Sequence, residues 1–424
     1  MDRRSTGSFK DTSMAAAPDK KRILFVDDDR QLLDGLRRGL CSRQAQWEMG
    51  FVESGEQALQ ELGRSLWDVI VSDVRMPGLD GTAVLASASE RWPSVIRIAL
   101  SGAADLGNTV RLLPVAHQYL SKPCPAPQLE KVIERALKLH EVLGEPSLRA
   151  LIGRVRRLPA QPLIFTKLKI TTSSDGASFQ QVGQLIKGDA VLAAKVTQIV
   201  NSAFFRPARR ITNVEQAVQY MGLAGVRNLI FCAEVFGRWP GKLASAAVDL
   251  ELLQLHAHRT VAIAAELTHG TIWGDDSILA ALLHDIGYWV LSQEAPEHLA
   301  RALHVAVEVG IPLHRAEVRV IGASHAEIGA YLLGLWGLPY PVVEAVAHHH
   351  EPERVRGGRF DVLSALAVAL ALSGTDDGDA FRVAPPRAET VGPSYLKGLE
   401  APFTWNEAEA RAVACLAAPD AAVG

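Results

Sequence analysis

The sequence contains few cysteines, and they are widely separated. The four, Cys41, Cys124, Cys232 and Cys415, form no Cys-x-x-Cys pair. Their spacing argues against a zinc knuckle and against a disulfide framework. We expect buried thiols that behave as small hydrophobic side chains in a reducing compartment.

Long hydrophobic runs and an excess of one charge are also missing. The longest nearly apolar stretch, Val362–Leu372, is much shorter than the roughly 20 residues that a membrane-spanning helix needs. Residues 1–19 have no apolar stretch of the length found in signal peptides, and we expect a disordered tail there. A formal net charge of −3 gives no electrostatic support for nucleic-acid binding. The sequence thus predicts a cytoplasmic protein without a membrane span or a nucleic-acid partner.

The sequence does contain a change of pattern near residue 145. Before that point, short β-rich runs alternate with amphipathic helical stretches, as in RILFV, LLDGLRRGL and DVIVS. This alternation predicts an α/β domain with a doubly wound parallel sheet, whose ligands bind at the carboxyl ends of the strands. Beyond residue 145, apolar residues recur at helical spacing, as in AVLAAKVTQIV and AEIGAYLLGLW, and predict an all-α domain.

The length of the chain agrees with this division, because 424 residues are too many for one hydrophobic core and suit two or three domains. We predict five segments: a disordered tail at 1–19, an α/β domain at 20–144, a helical linker at 145–160, a helical domain at 161–385 and a helical C-terminal extension at 386–424.

Polar side chains mark the ends of the predicted strands. Asp27 and Asp28 follow the first strand, Asp73 ends the third, Ser101 ends the fourth and Lys122 follows the fifth. Carboxylates gathered at one edge of a sheet repel one another and need a cation, and oxygen ligands suit Mg²⁺. A carboxylate in that setting is a candidate nucleophile toward phosphorus, and the lysine could balance charge on phosphoryl oxygens.

The motifs VDDD, SDVRMPGLDG, ALSG and YLSKP, in this order and spacing, resemble the receiver domain of two-component response regulators over residues 20 to 140. The resemblance implies a flavodoxin-like sheet of five strands and a sensor histidine kinase or small phosphodonor as partner. It also implies roles for individual residues: Asp73 as phosphoryl acceptor; Asp27, Asp28, Asp73 and the main-chain carbonyl of Arg75 as Mg²⁺ ligands; and Ser101, Tyr119 and Lys122 as the switch positions.

Histidines spread over the second half form another candidate site. His256, the pair His284 and Asp285, His325, and the pair His349 and His350 lie on four predicted helical segments. If the pair His284 and Asp285 lies within one helix, both side chains could lean toward one cavity, with further imidazoles supplied by other helices. A single buried histidine is usually a packing residue, but this ordered set points to a metal site.

The histidine order, with QLIKGDAVLAAKVTQIVNSAFF, LLHDIGYWVL, HAEIGAYLLGLWGLP and AHHHEP, resembles the HD superfamily of metal-dependent phosphohydrolases across residues 148 to 400. The closer resemblance is to its HDOD branch. In HD enzymes a first His, the His-Asp pair and a later Asp bind the metal. His284 and Asp285 match the pair, and His256, or less well His258, matches the first ligand.

The same resemblance indicates that the site is degraded. The later Asp is replaced at the aligned position by Leu372, so Asp285 would be the only carboxylate, and hard metals should bind poorly. Tyr288 stands where the cyclic-dinucleotide phosphodiesterases of the superfamily carry a lysine, and tyrosine is a poorer acid at neutral pH. We expect no resident metal in this residual site, and Fe or Zn if there is one, and we assign no catalytic residue.

Three functions remain open at this point. The favoured one is a regulator in which phosphorylation of Asp73 controls a mostly non-enzymatic helical module that docks other signalling proteins, with a homodimer as one arrangement. The alternative is a metal-dependent phosphohydrolase that cleaves a cyclic dinucleotide. A third is a module that binds a cyclic dinucleotide without cleavage, through two basic clusters: Arg154, Arg156 and Arg157, and Arg206, Arg209 and Arg210.

Overall fold

The computed structural model of the protein describes residues 20–101, 115–142, 146–153, 155, 168, 171, 178–201, 210–231, 248–355, 359–374, 380–381 and 385–417. The predicted tail at 1–19, Cys232, much of the predicted linker and five arginines of the basic clusters lie outside these residues: Arg154, Arg156, Arg157, Arg206 and Arg209.

The N-terminal part is a parallel sheet flanked by helices. Its strands are β1 (Lys21–Val26), β2 (Trp47–Val52), β3 (Val69–Asp73), β4 (Ile96–Ser101) and β5 (Gln118–Ser121), and within the described residues their order is β2-β1-β3-β4-β5. The helices are α1 (Arg30–Gly39), α2 (Gly55–Arg64), α3 (Gly81–Arg91) and α4 (Ala126–Val142). The predicted fold class, a doubly wound five-stranded sheet followed by a helical region, is confirmed.

The sheet forms because its inner strands are mostly apolar and are covered on both faces. All residues of β3 and the first five of β4 are buried, as expected for parallel strands that helices cover on both sides. The strand order reverses between β1 and β3, and ligands bind at such a switch point in this architecture. Asp29 accepts hydrogen bonds from the N–H groups of Gln31 and Leu32 and so caps α1. This cap fixes the turn that carries Asp27 and Asp28.

The rest of the described chain is helical. Its helices are α5 (Pro146–Gly153), α6 (Phe179–Lys187), α7 (Ala190–Val200), α8 (Val214–Phe231), α9 (Leu250–Leu267), α10 (Gly274–Leu283), α11 (Ile286–Glu294), α12 (Pro296–Val309), α13 (Leu313–Ile321), α14 (His325–Leu335), α15 (Tyr340–His348), α16 (Val362–Leu372), α17 (Pro393–Lys397) and α18 (Trp405–Ala417). Asp189 caps α7, and α8 is interrupted at Gly222, whose φ is 71°. None of the helices in the described residues is both long enough and apolar enough to cross a membrane.

The helical core brings distant helices together. Helix α9 packs against α10, α16 and α18, whereas α14 packs against α11 and α15. Leu396 and Phe403 of the C-terminal extension are buried against this core. The helical part also contacts the sheet domain, because α14 lies against α4.

Candidate functional site

The carboxylates predicted at the strand ends do meet at one edge of the sheet. Asp27, Asp28 and Asp73 each offer an oxygen, and these oxygens lie within 4.8 Å of one another. Lys122 reaches the same point, with Nζ 2.5 Å from Oδ2 of Asp73 and 2.6 Å from Oδ2 of Asp27. The N–H of Arg75 donates to Oδ1 of Asp73 at 3.4 Å.

The charges at this edge are strongly coupled. Asp27 is only 1% exposed, and burial raises its pKa against the opposing hydrogen bond from Lys122. Burial by itself would lower the pKa of Lys122, but its hydrogen bonds to Asp27 and Asp73 outweigh that effect and raise it. The edge therefore holds three carboxylates against one ammonium group, which leaves negative charge available for a divalent cation.

The predicted switch residues Ser101 and Tyr119 lie on β4, which pairs with the strand of Asp73, and on β5, which pairs with β4. Ser101 ends β4 and pairs with Ser121 of β5, and its carbonyl accepts from the N–H of Lys122 at 2.8 Å. Tyr119 is 6% exposed, and its hydroxyl donates to the carbonyl of Ala116 at 2.9 Å. The aromatic ring thus lies inward.

The histidines of the second half also converge. His256 comes from α9, His325 begins α14, and His349 follows the last residue of α15. His284 and Asp285 lie at the junction between α10 and α11, not inside one helix, because helical geometry stops at Asp285, where φ is −96° and ψ is 8°. The premise of a single continuous helix was therefore wrong, although both side chains do face the same cavity.

Backbone contacts orient two of the imidazole rings. Nδ1 of His284 lies 2.8 Å from the carbonyl of Ala281, and Nδ1 of His349 lies 2.8 Å from that of Val346. Since a carbonyl can only accept, Nδ1 carries a proton in both rings, and Nε2 faces the cavity. Those two Nε2 atoms and both oxygens of Asp285 are buried without a hydrogen bond.

Asp285 is the centre of the cluster. Its oxygens lie 3.1 Å from Nε2 of His284, 3.5 Å from Nε2 of His325 and 3.9 Å from Nε2 of His349. Burial would raise the pKa of Asp285, but His284, His325 and His256 hold it well below its usual range. Ligand atoms of His256, His284 and Asp285 lie within 4.8 Å of one another, as do those of a second group. That second group comprises His325, His349 and His350.

A second buried carboxylate, Glu317 of α13, supports this cluster and was missed in the sequence. Its Oε2 accepts from the main-chain N–H of His325 at 2.7 Å and lies 2.8 Å from Nδ1 of that ring. The contact aims Nε2 of His325 at Asp285 and raises the pKa of His325, although burial opposes the rise. His314, on the same helix, stacks on His350 with ring centroids 4.4 Å apart. The His-x-x-Glu spacing of His314 and Glu317 was the signal available in the sequence.

Two uncertain assignments of ligand positions can now be compared with the structure. His256 lies in the cluster, whereas the ring of His258 bonds the backbone at Lys187, so His256 is the better match to the first ligand. The residues of α16 that line the cavity are Ala367 and Leu370, not Leu372. The aligned position was therefore wrong, but α16 still supplies no carboxylate to the cavity.

The cavity over the cluster is small. Its volume is about 50 Å³, and its wall includes His256, His284, Asp285, His349 and His350. Residues 388–391 of the C-terminal extension line it as well and bring Glu389 to its wall. A space of this size holds an ion with a few water molecules.

Comparisons with known proteins agree with this architecture. The sequence model of the response regulator receiver domain matches residues 23–134, and that of the HDOD domain matches residues 158–352. Thus the fold and the acidic edge define the N-terminal part as a receiver domain. The chain is a response regulator in which a receiver domain precedes an HDOD domain.

Individual relatives match only parts of the chain. An uncharacterized protein of Treponema pallidum is 30% identical over 206 residues, 47% of this chain and 39% of that protein. The hydrogenase transcriptional regulatory protein HoxA of Cupriavidus necator is 33% identical over 125 residues, 29% of this chain and 25% of HoxA. The DNA-binding transcriptional regulator NtrC of Escherichia coli is 32% identical over 125 residues, 29% of this chain and 26% of NtrC. The chain therefore spans between a quarter and two fifths of these relatives.

Two solved structures are similar to parts of the chain. The signal receiver domain of an HD domain-containing protein from Pseudomonas fluorescens Pf-5 is 29% identical, with a TM-score of 0.28, and the match covers 29% of this chain and 98% of that one. The MmoQ response regulator from Methylococcus capsulatus is 20% identical, with a TM-score of 0.42, and the match covers 51% of this chain and 86% of MmoQ.

Proposed function

We propose that the protein is a cytoplasmic response regulator in which phosphorylation of Asp73 controls a mostly non-enzymatic HDOD docking module. The observation that carries the proposal is the convergence of Asp27, Asp28, Asp73 and Lys122 at one sheet edge. A sensor histidine kinase or a small acyl phosphate would be the donor. A homodimer is compatible with this function.

The residues at the edge fit phosphoryl transfer. An Oδ atom of Asp73 would attack phosphorus, the bond to the donor's nitrogen or oxygen would break, and the leaving group would depart with its electron pair and take a proton. Lys122, already 2.5 Å from Asp73, would hold a positive charge against the phosphoryl oxygens. Asp27, Asp28, Asp73 and the carbonyl of Arg75 would bind Mg²⁺, which neutralises charge on the phosphoryl group when bound.

Phosphorylation is tested directly with the full chain. Acetyl phosphate and Mg²⁺ should add one phosphoryl group, detected by intact mass and by a phosphate-affinity gel, and Asp73→Asn should abolish it. Asp34→Asn, a half-buried aspartate of α1 outside the site, is the matched control and should be modified like wild type. Equal modification of the Asp73→Asn variant would refute Asp73 as the acceptor.

The docking role of the HDOD domain is supported by the residues that line the cavity. Helix α16 contributes Ala367 and Leu370 to the wall in place of the carboxylate that HD enzymes use as a metal ligand. The expected result is that wild type and Asp73→Asn capture different amounts of protein partners from cells of the source organism. Identical partner sets and amounts would contradict phosphorylation-controlled docking.

One observation favours a metal at the HD cluster, and with it hydrolysis, as a second candidate. The buried Nε2 atoms of His284 and His349 have no hydrogen-bond partner and lie 3.1 Å and 3.9 Å from the carboxylate of Asp285. Imidazole nitrogens with a carboxylate suit Fe or Zn better than Mg²⁺. The donor set therefore fits a transition metal held by His256, His284 and Asp285, which would activate a water molecule when bound.

Metal analysis, combined with a turnover assay, separates this candidate from the first. Purified protein should then carry Fe or Zn near one equivalent or more, and His284→Ala should lose it. His304→Ala is the control, because that side chain is 78% exposed on α12 and lies outside the cluster. Turnover of a cyclic dinucleotide that is lost with His284→Ala would establish the enzyme, whereas metal-free protein without turnover would leave the docking function alone.

A further inference from the structure

Arg97, a buried arginine of β4, links the receiver domain to the helix that follows it. The side chain is 1% exposed, and its guanidinium donates to the carbonyls of Val115 at 2.6 Å, Val95 at 3.0 Å and Pro93 at 3.2 Å. It also donates to the carbonyl of Gly153 at 2.8 Å. A buried guanidinium is tolerated only when its donors are satisfied, so the Gly153 contact is part of what makes this burial possible.

Gly153 is the last residue of α5, and its contact suits the end of a helix. The final carbonyls of a helix lack partners within the helix and carry partial negative charge, which a guanidinium stabilises. The approach is close, because a Cβ built on Gly153 would lie 1.7 Å from the carbonyl oxygen of Pro93. A larger residue at this position would therefore hold α5 away from β4.

A second contact joins the neighbouring strand to the HDOD domain. His117, directly before β5, accepts from the N–H of Arg97 through Nδ1 at 3.1 Å. Its carbonyl accepts from Nε2 of Gln198 on α7 at 3.3 Å. Oε1 of Gln198 in turn accepts from Nζ of Lys195 at 3.2 Å, and both α7 side chains are 2% exposed. The path from α5 through β4 and β5 to α7 is thus continuous and buried.

The two strands that make these contacts also carry the switch residues. Ser101 lies four positions after Arg97 on β4, and Tyr119 lies two positions after His117, with Ala99 paired to Tyr119. Strands are stiff along their length, so a displacement at their carboxyl ends is passed to Arg97 and His117. A signal needs an element with two arrangements that both sites influence, and a docked or released α5 is such an element.

We propose that Arg97 and His117 form a coupling junction that holds α5 and α7 against the receiver domain until Asp73 is phosphorylated. A phosphoryl group on Asp73 draws Ser101 toward it, shifts β4 and weakens the Arg97–Gly153 and His117–Gln198 contacts. Helix α5 is then released to present a different surface, and α7 loses its contact with the receiver domain. This inference rests on the proposed phosphorylation of Asp73.

Hydrogen–deuterium exchange of the full chain tests the junction. Beryllium fluoride with Mg²⁺ serves as the phosphoryl mimic, and peptides covering residues 146–153 and 190–200 are followed. In wild type the mimic should accelerate their exchange roughly tenfold, the effect of losing a hydrogen bond to a charged group. Unchanged exchange there, with mimic bound at the acidic edge, would overturn the junction and leave the proposed phosphorylation intact.

Variants show whether the contacts themselves carry the effect. Gly153→Ala should give fast exchange in both peptides without the mimic and no further change with it, while phosphorylation by acetyl phosphate stays normal. Arg97→Met should behave in the same way, and Gly153→Ala keeps the test valid if Arg97→Met does not fold. Arg22→Met is the control, since that guanidinium bonds Leu66 and Glu48 inside the receiver domain. A normal response to the mimic in Gly153→Ala would refute the junction.

Failure of the proposed function has a different outcome. If neither acetyl phosphate nor the mimic binds wild type, then phosphorylation and the junction both fall. If phosphorylation is normal and the exchange rates of the α5 and α7 peptides do not change, the junction alone is wrong.

Discussion

Lys195 gives a sharp prediction, because its amine is buried in the HDOD domain close to the receiver domain. The side chain is 2% exposed, and its Nζ lies 3.7 Å from the centroid of the Trp336 ring. Burial lowers its pKa from the usual 10.5 to about 7. Protonated Lys195 therefore destabilises the folded state by about 5 kcal/mol at acidic pH, and slightly less at pH 7.

The sign of the pH dependence follows from proton binding. Between about pH 7 and about pH 10.5 the unfolded chain holds a proton on Lys195 that the folded chain has released, so wild-type stability rises with pH across this window. Lys195→Met removes that dependence. It also leaves Oε1 of Gln198 without its donor, which costs about 2 kcal/mol at every pH.

Together, the two effects predict that the order of stability of wild type and Lys195→Met reverses as the pH rises. At pH 7 the variant should be more stable than wild type by about 2 to 3 kcal/mol, near pH 9 the two should be equal, and at pH 10 wild type should be more stable. Urea unfolding of both proteins by circular dichroism at these pH values measures the difference. Lys187→Met is the control, because Lys187 is half-buried and pairs with Glu215 at 3.0 Å, so its loss should be slightly destabilising. A stability difference that stays constant from pH 7 to pH 10 would refute the reasoning.

Three further predictions concern the two sites. Gly287→Ala should lower the melting temperature and weaken the histidine cluster, because its Cβ would lie 2.0 Å from the carbonyl oxygen of His325, whereas Gly35→Ala, with nothing within 4 Å, should not. Ser324→Ala should cost about 1 kcal/mol in denaturant unfolding, since it removes the capping box of α14, and threonine at this position should restore most of that stability. Burial raises the pKa of Asp27, so Mg²⁺ affinity, measured by titration calorimetry, should fall as the pH is lowered through that raised pKa; an affinity that does not fall on acidification would contradict this assignment of the ligand.

The receiver site could be predicted from sequence because its residues are tied to strand ends. Asp73 is the last residue of β3, and Ser101 is the last residue of β4. Parallel strands place their carboxyl ends at the same edge, so the strand pattern alone brings such residues together. Strand β2 has a weaker hydrophobic pattern in the sequence. It lies at the edge of the sheet, and four of its six residues are only half-buried.

The histidine cluster was less accessible to sequence reasoning, since its geometry depends on how helices pack. Leu372 and Leu370 are two residues apart on α16, and a separation of two turns a side chain by about 200°, to the opposite face. An alignment error of two positions therefore selects Leu372, which points away from the cavity, in place of Leu370, which lines its wall. Glu317 belongs to α13, whose position against α14 no local pattern specifies.

The HDOD domain contains two buried carboxylates that a docking module would not need for packing. Asp285 and Glu317 are both buried, and replacing buried charged groups by apolar residues often stabilises a protein. Packing alone therefore does not explain a cluster of histidines around two carboxylates. A cation held by His256, His284 and Asp285 would tie α9 to the junction of α10 and α11. Such a metal without turnover would stabilise the platform and not a reaction, so turnover, and not the metal alone, separates hydrolysis from docking.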